Sequence, residues 1–394
     1  MDSLINKFFN IFICLLFLTL FLQFPTVSPD SILTWNGISI SKTKGFDEEI
    51  GELNILVSKD GTGHSLTVQG AIDLVPNSNS KRVKIFISPG FYREKILVPN
   101  NKPYISLIGQ KNFVPTVLSW NDRASTRKKS SDNPMGTYNS ASVIVESDYF
   151  HASYITFENT SPEAPVGVEG LQAVALRVSG NNTVIVDCWI LGWQDTLFDH
   201  IGNHLFYRCY IRGSIDFIFG SAKSLYEECI MESSARTFGA IAAHQRDDPY
   251  EDSGFTFSNC NISSSGKVYL GRAWGNFSRI IYAFCHMDDI IVPKGWSNWD
   301  DRERQPYIFF AEYNCTGFGA DQSRRVPWIK NLTYNQVKPF LGKSSQIDDQ
   351  NKNTTHKSKD TKKDIPKGTS NILVNKLRSI IYIWTAVFYI FFIF

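Results

Sequence analysis

Asp195 and Asp216 stand 21 residues apart in two stretches that read as one pattern written twice. From Cys188 the chain runs Cys-Trp-Ile-Leu-Gly-Trp-Gln-Asp-Thr-Leu-Phe, and from Cys209 it runs Cys-Tyr-Ile-Arg-Gly-Ser-Ile-Asp-Phe-Ile-Phe. A carboxylate in an apolar run is costly to bury, and chemistry is the usual reason to keep a pair of them. Self-similarity at about 20 residues, carried by strand-like runs and punctuated by glycine, is what the coils of a parallel β-helix produce, because each coil buries its apolar face only against the next. Equivalent side chains on adjacent coils then face each other about 4.8 Å apart. The two aspartates are expected to be stacked neighbours, close enough for one to work on a substrate atom held by the other.

The cysteines carry the pattern further. Cys188, Cys209, Cys229, Cys260 and Cys285 each precede Ile or Met by two, at steps of 21, 20, 31 and 25 residues. Uneven steps fit coils whose connecting loops differ in length while their strands stay in register; an antiparallel sandwich with chance cysteines is the competing reading. Stacked coils bring equivalent Cα atoms within disulfide range. Cys209 and Cys229 are the candidate pair, and a row of buried free thiols is the alternative. Counting seven residues on from Cys229, as from Cys188 to Asp195, lands on Arg236, which a strict third coil would stack on Asp216.

The ends of the chain differ from the body. Residues 1–30 hold Lys7 and an apolar run from Phe8 to Phe24 followed by Pro25, the layout of a signal peptide, with a signal anchor as the alternative. Seven Asn-x-Ser/Thr sequons, at Asn159, Asn181, Asn261, Asn276, Asn314, Asn331 and Asn353, agree with a secretory route and a glycoprotein. Residues 342–378 read as a polar, lysine-rich linker, and 379–394 as an apolar tail. Small residues at Gly368 to Ser370 before that tail suggest a lipid-anchor signal, and a tail that sits in the membrane is the alternative. The net charge of +2 divides into +5 beyond residue 341, −1 before residue 31 and −2 between. The body therefore has no positive field for nucleic acid. Its length suits one elongated domain, taken as 50–341.

Within that domain, Val68, Ala71, Ile72 and Val75 lie at helical spacing before Pro76, so a short amphipathic helix is expected to cap the open end of the coils. Strands are expected at 83–88, 105–108, 142–146 and 154–157, and turns around Val326 to Ile329 and Val337 to Phe340 should pack back on the stack. No His/Cys cluster has metal-ligand spacing, and Asp247-Asp248, Asp288-Asp289 and Asp300-Asp301 read as solvated turns, so neither metal nor cofactor is expected.

Five blocks in order resemble the plant-type pectin methylesterases, or pectinesterases: Gly90 to Glu94 (Gly-Phe-Tyr-Arg-Glu), Gln172 to Arg177 (Gln-Ala-Val-Ala-Leu-Arg), Gly192 to Leu197 (Gly-Trp-Gln-Asp-Thr-Leu), Asp216 to Gly220 (Asp-Phe-Ile-Phe-Gly) and Leu270 to Trp274 (Leu-Gly-Arg-Ala-Trp). The likeness runs from about Ile55 to Leu341. It implies an all-β right-handed parallel β-helix with short capping helices, and hydrolysis of methyl esters in pectin. It assigns Asp216 as nucleophile, Asp195 as general acid and then base, Gln172 and Gln194 as oxyanion donors, and Arg272 as the cation holding Asp216. It also implies ring stacking of a sugar on Trp274, and a substrate contact at Ser142, where relatives commonly carry threonine; Trp193 and Trp296 are weaker candidates of the same kind, with packing in the core or a turn as the alternative. Stacked carboxylates do not both ionise easily, and a guanidinium beside one separates their pKa values. Glycine before Arg272 is read as room for a ligand. The implied partners are methyl-esterified homogalacturonan, a proteinaceous inhibitor and, through the tail, a membrane; the implied location is the cell wall.

Two departures stand out. Ala273 occupies the position where the family usually has proline, and too little chain precedes residue 50 for a helical pro-region, so a short form is expected. The rivals are a polygalacturonase or pectate lyase on the same fold, or a catalytically silent wall-binding protein. Asn-Thr-Asp, Gly-His-Gly and Arg-Ile-Lys motifs of polygalacturonases do not occur in the chain.

Overall fold

The computed structural model describes residues 53–342, apart from 112–113, 128–131, 164–167, 237 and 265, together with a short antiparallel pair, Leu33–Trp35 with Ile38–Ile40. The expected signal peptide, linker and apolar tail lie outside the described residues, as does Asn353. Among the described residues no helix is long and apolar enough to cross a membrane.

Strand-forming runs of β-branched and aromatic residues recur three times per coil and assemble three parallel sheets, of ten, eight and eight strands. One coil shows the scheme. Asn203–Tyr207 lies in the ten-stranded first sheet, Tyr210–Gly213 in the second and Ile218–Gly220 in the third. The next coil repeats it with Lys223–Glu227, Ile230–Ser233 and Gly239–His244, pairing in parallel with the coil before. This is the expected parallel β-helix. Strands are observed at Val83–Ile87, Ile105–Ile108, Val143–Val145 and Ile155–Asn159, where the sequence placed them.

Side chains alternate across each strand, so each sheet has an inner and an outer column. On the third sheet Leu176, Leu197, Ile218, Ala242, Gly271 and Trp296 face inward in register. All are buried in the continuous core. A Cβ on Gly271 would lie 2.6 Å from Ile280 Cδ1 and 3.2 Å from the Trp296 ring. The glycine makes room for a core tryptophan, which corrects its reading as an approach for ligand. Trp296, only 1% exposed with Nε1 donating to Glu312 Oε1 at 3.0 Å, is likewise a core residue and not a sugar platform. Trp296→Ala is expected to cost about 3–5 kcal/mol in denaturant unfolding.

Between the first and second sheets seven successive coils turn through a residue in the left-handed region. Tyr154, Asp187, Arg208, Glu228, Asn259, Phe284 and Asn314 have φ between +48° and +57°, a conformation that bulky L-residues rarely adopt. The residue that follows points into the core. From the second of these corners onward it is a cysteine every time: Cys188, Cys209, Cys229, Cys260, Cys285 and Cys315 form one column, with Cys315 extending the five legible in the sequence. All six thiols are free, which corrects the proposed Cys209–Cys229 disulfide. The reason lies in their protons. Cys209 Sγ donates to Ile185 O, Cys229 to Phe206 O, Cys260 to Tyr226 O and Cys285 to Phe257 O, each on the preceding coil, at 3.3–3.4 Å. Joining two sulfurs would remove those protons and leave buried carbonyls short of a donor. Under denaturing conditions without reductant, Cys209 and Cys229 should therefore both alkylate, and non-reducing peptide mapping should recover them unlinked; a joined peptide would overturn the assignment.

The stack is closed at its start by the helix Val68–Asp73, which buries Val68, Ala71 and Ile72 as expected. Thr67 caps its N-terminus, and the Glu94 carboxylate accepts from Val68 N and Gln69 N, both at 2.9 Å. Lys102 Nζ, 8% exposed as a residue, donates to Ile72 O and Asp73 O at the other end. At the far end Val326, Trp328 and Ile329 pack on the main core, and Val337, Phe340 and Leu341 on the outer face of the first sheet. Of the sequons, Asn159 is buried with Nδ2 donating to Asp122 O and Val174 O, so it is no acceptor in the folded protein. Asn181, Asn261, Asn276, Asn314 and Asn331 are exposed.

Candidate active site

The corner between the second and third sheets carries the aspartates. Leu197 pairs with Ile218, which sets Asp195 opposite Asp216 two residues earlier. Both have positive φ, +62° for Asp195 and +46° for Asp216. Aspartate is among the few types that tolerate this region, and the geometry is held by the stack: Asp195 N donates to Ile215 O, and Leu197 N to Phe217 O. Gly213 opens the second corner, where a Cβ would meet Phe217 Cβ at 2.2 Å.

Arg272 reaches back from the strand Val268–Ala273. Its Nε donates to Asp216 Oδ1 at 2.8 Å and its Nη2 to Asp216 Oδ2, a two-pronged contact with a carboxylate 5% exposed. Burial raises the pKa of Asp216 and the guanidinium opposes it. Burial also raises Asp195, there joined by the charge of Asp216, so Asp195 is held well above the usual carboxylate range. The two groups are thereby separated: Asp195 keeps its proton where Asp216 is ionised. Arg272 does not lose its charge, since Asp216 and Asp195 outweigh its burial and raise its pKa.

Arg236 does not take part. Between the paired positions Gly213 and Ser233 and the next paired positions Ile218 and Ala242, one coil spends four residues and its successor eight. The longer corner throws Arg236 outward, where its Nη2 meets Glu163 Oε2 at 3.1 Å with the side chain 79% exposed. Ser142 is fully buried, so the expected substrate contact is not available to it. Gln172 and Gln194 sit at the same corner, half-buried. Their backbone carbonyls are taken, by Ala124 N and Ala173 N, while no hydrogen bond of either side-chain amide is found among the described residues.

The outer column of the third sheet runs Ile144, Arg177, Phe198, Phe219, Ala243, Arg272, Ser297. Phe198 stacks on Phe219 with centroids 4.3 Å apart, and Trp274 leans on Phe219 at 6.1 Å. Together with Ala141, Val174, Ile144 and Trp299 they form an apolar cluster outside the core, beside the carboxylates. Trp193, also half-buried, lies 5.7 Å from the Arg212 guanidinium instead. Trp299 is the residue sequence reasoning missed. Its ring lies 3.8 Å from the Arg272 guanidinium and its φ is +58°, in a segment that no repeat marks. A concavity of about 510 Å³ lined by His286, Met287, Asp288, Asp289, Gly317 and Phe318 lies elsewhere, at the end of the second sheet. Trp299→Ala is expected to lower kcat/KM about tenfold by freeing the guanidinium to wander, a loss within the range of a desolvated cation–ring contact; an unchanged kcat/KM would show that Asp216 alone fixes Arg272.

A carboxylate held by a guanidinium, a protonated carboxyl beside it, two idle amides and an apolar ring floor can add a nucleophile to an ester carbonyl and protonate the leaving alcohol. The family model described as Pectinesterase matches residues 54–345. The chain is 56% identical over 297 residues to Pectinesterase QRT1 of Arabidopsis thaliana, covering 75% of this chain and 78% of that protein. It is 42% identical over 298 residues to Probable pectinesterase 8 of the same plant, covering 74% of each. Among solved structures it resembles the pectin methylesterase from carrot, with 29% identity and a TM-score of 0.67 over 80% of this chain and 99% of that one. The Aspergillus niger pectin methylesterase gives 28% and 0.62, over 76% and 97%.

Proposed function

The chain belongs to the pectinesterase family, and we propose from that premise that Asp216 and Asp195 divide the work of removing methyl esters from pectin. It is a carboxylic ester hydrolase that hydrolyses the methyl esters of pectin, giving methanol and free carboxylates. Asp216 attacks the ester carbonyl carbon of a galacturonate unit, and the side-chain amides of Gln172 and Gln194 donate to the oxyanion that forms. The tetrahedral intermediate collapses by breaking the bond to the methoxy oxygen, which takes the Asp195 proton and leaves as methanol. The acid anhydride left on Asp216 is then attacked by water, whose proton returns to Asp195. The free uronate departs and Asp216 is regenerated.

One observation carries this division of roles: the Arg272 fork engages Asp216 and not Asp195. The group whose ionised form is stabilised is the nucleophile, and the group whose neutral form is favoured is the acid. The pH dependence follows. Methanol release should rise with pH as Asp216 loses its proton, and fall again once pH passes the raised pKa of Asp195, because the acid is then spent. A profile for kcat/KM that keeps climbing into the alkaline range would contradict the acid role. Methanol release with intact chains supports the reading; shortened chains would point to a depolymerase, and neither to a binding protein.

Action in the cell wall suits the substrate. The apolar start of the chain and the exposed sequons support export, and the apolar tail supports membrane attachment; an inhibitor protein would be expected to cover the surface around Trp274.

A further inference from the structure

Lys223, Gly254, Arg279 and Phe309 follow one another, rung by rung, at the start of the first sheet and on its outer face, not at the corner that carries the aspartates. A Cβ on Gly254 would lie 2.8 Å from Arg279 Cδ, so the bare rung is what lets the arginine lie across toward Lys223. Between the two cations is a cleft of about 140 Å³, closed by Asp252, Ser253, Pro339 and Phe340.

Neither cation is fully matched. Lys223 Nζ meets Asp252 Oδ2 at 2.5 Å, but the other oxygen of that carboxylate lies 3.9 Å from Arg279 Nη1, beyond hydrogen-bonding reach, and its side chain is 74% exposed. Arg279 Nε is buried with no partner among the described residues. So is the Oγ of Ser253, a residue 4% exposed. Burial, and after it the charge of Arg246, pull the pKa of Arg279 down. Arg246 brings that charge with no acid of its own, since its guanidinium donates only to the carbonyls of Glu251, Phe277 and Pro249. Buried donors left idle are costly, and a guanidinium fork fits a carboxylate. Beside the charges the wall is apolar: the Arg279 guanidinium lies 5.5 Å from the centroid of the Phe340 ring and 5.8 Å from that of Phe309.

We propose that this cleft is a binding site, separate from the ester chemistry, for a small organic carboxylate held by Lys223, Arg279 and Ser253 with its carbon skeleton against Pro339 and Phe340. Cations alone would take any oxyanion; the proline and the ring favour one carried on carbon over inorganic phosphate. A cavity of about 150 Å³ holds one benzene ring, so the cleft admits a carboxylate and the nearest carbons of a larger acid. Asp252, exposed and at the edge, swings aside as the ligand enters.

Galacturonate, the acid that pectin hydrolysis exposes, is the probe. The test follows the melting temperature of the full chain at low ionic strength against sodium galacturonate, with sodium chloride and inorganic phosphate as the other arms. The wild type should show a saturable rise with galacturonate that exceeds both. Lys223→Gln should need about tenfold more galacturonate for half of that rise, as for the loss of one charged hydrogen bond. Asp252→Asn, which removes the resident acid, should need about fivefold less, the effect of one like charge near 4 Å in water. Methanol release should match the wild type in both variants. A wild-type rise no larger than that in chloride, or half-saturation unmoved in Lys223→Gln and Asp252→Asn, overturns the site. Phosphate acting at concentrations as low as galacturonate overturns the carboxylate assignment, and methanol release lost in both variants overturns the separation from the ester site.

Discussion

Asp216→Asn is expected to lower methanol release from esterified pectin by about 10⁴-fold or more, with pectin binding retained. The amide has no attacking oxygen of comparable basicity, and Asp195, stacked beside it, is held protonated. The loss should appear in kcat, because the rings of the apolar cluster, Phe198, Phe219 and Trp274, are untouched. The amide also turns an N–H toward a guanidinium that can only donate, so Arg272 loses half of its two-pronged contact in a buried setting. A circular dichroism melt run beside the assay separates this destabilisation from lost chemistry. Near-normal turnover in a folded Asp216→Asn enzyme would end the nucleophile assignment and the mechanism built on it.

Asp195→Asn is expected to lower kcat by about 10²- to 10⁴-fold, the range of general acid catalysis, and toward the upper end because methoxide is a poor leaving group. An activated aryl ester, whose alcohol needs little help to depart, should be acylated nearly as fast as in the wild type and then stall, since water activation also needs Asp195. Stopped-flow should show a burst of aryl alcohol. The same variant should be more stable at neutral pH. Burial and the Asp216 charge raise the folded pKa of Asp195 above its ordinary value near 3.8, so an ionised unfolded chain is favoured as pH rises from that value toward the raised one. Asparagine removes that cost; its gain in melting temperature should vanish below the ordinary pKa, where wild-type Asp195 is neutral in both states. A variant that loses activity without gaining stability would mean that Asp195 is ionised in the resting enzyme.

The inner columns and the aspartate corner were legible because the coil repeats: one register, applied twice, gives the strands, the cysteine column and the opposition of Asp195 and Asp216. What departs from the repeat was not legible. The longer corner before Gly239 defeats a fixed count and sends Arg236 outward. Gly271 looked like a site glycine because it precedes Arg272, yet its bare face accommodates Trp296, 25 residues later and one coil on. Trp299 comes from a segment between the stacked strands, where no periodicity marks which ring will lie over which cation. The disulfide was a matter of reach alone, and proximity of sulfurs says nothing about the carbonyls their protons serve.

The helix Val68–Asp73 and the turns after Val326 have a meaning beyond closing the core. A stack of parallel strands has no natural last member, and its final rungs present unpaired amides and carbonyls to any chain of like pattern. Without a stopper, one molecule could continue the next head to tail, since the join would differ little from the rungs within. Thr67 and Glu94 satisfy the amides at the start of the plug and Lys102 its final carbonyls, so that helix is fastened by charge at both ends. These residues keep a repeating architecture a discrete particle instead of the seed of a filament.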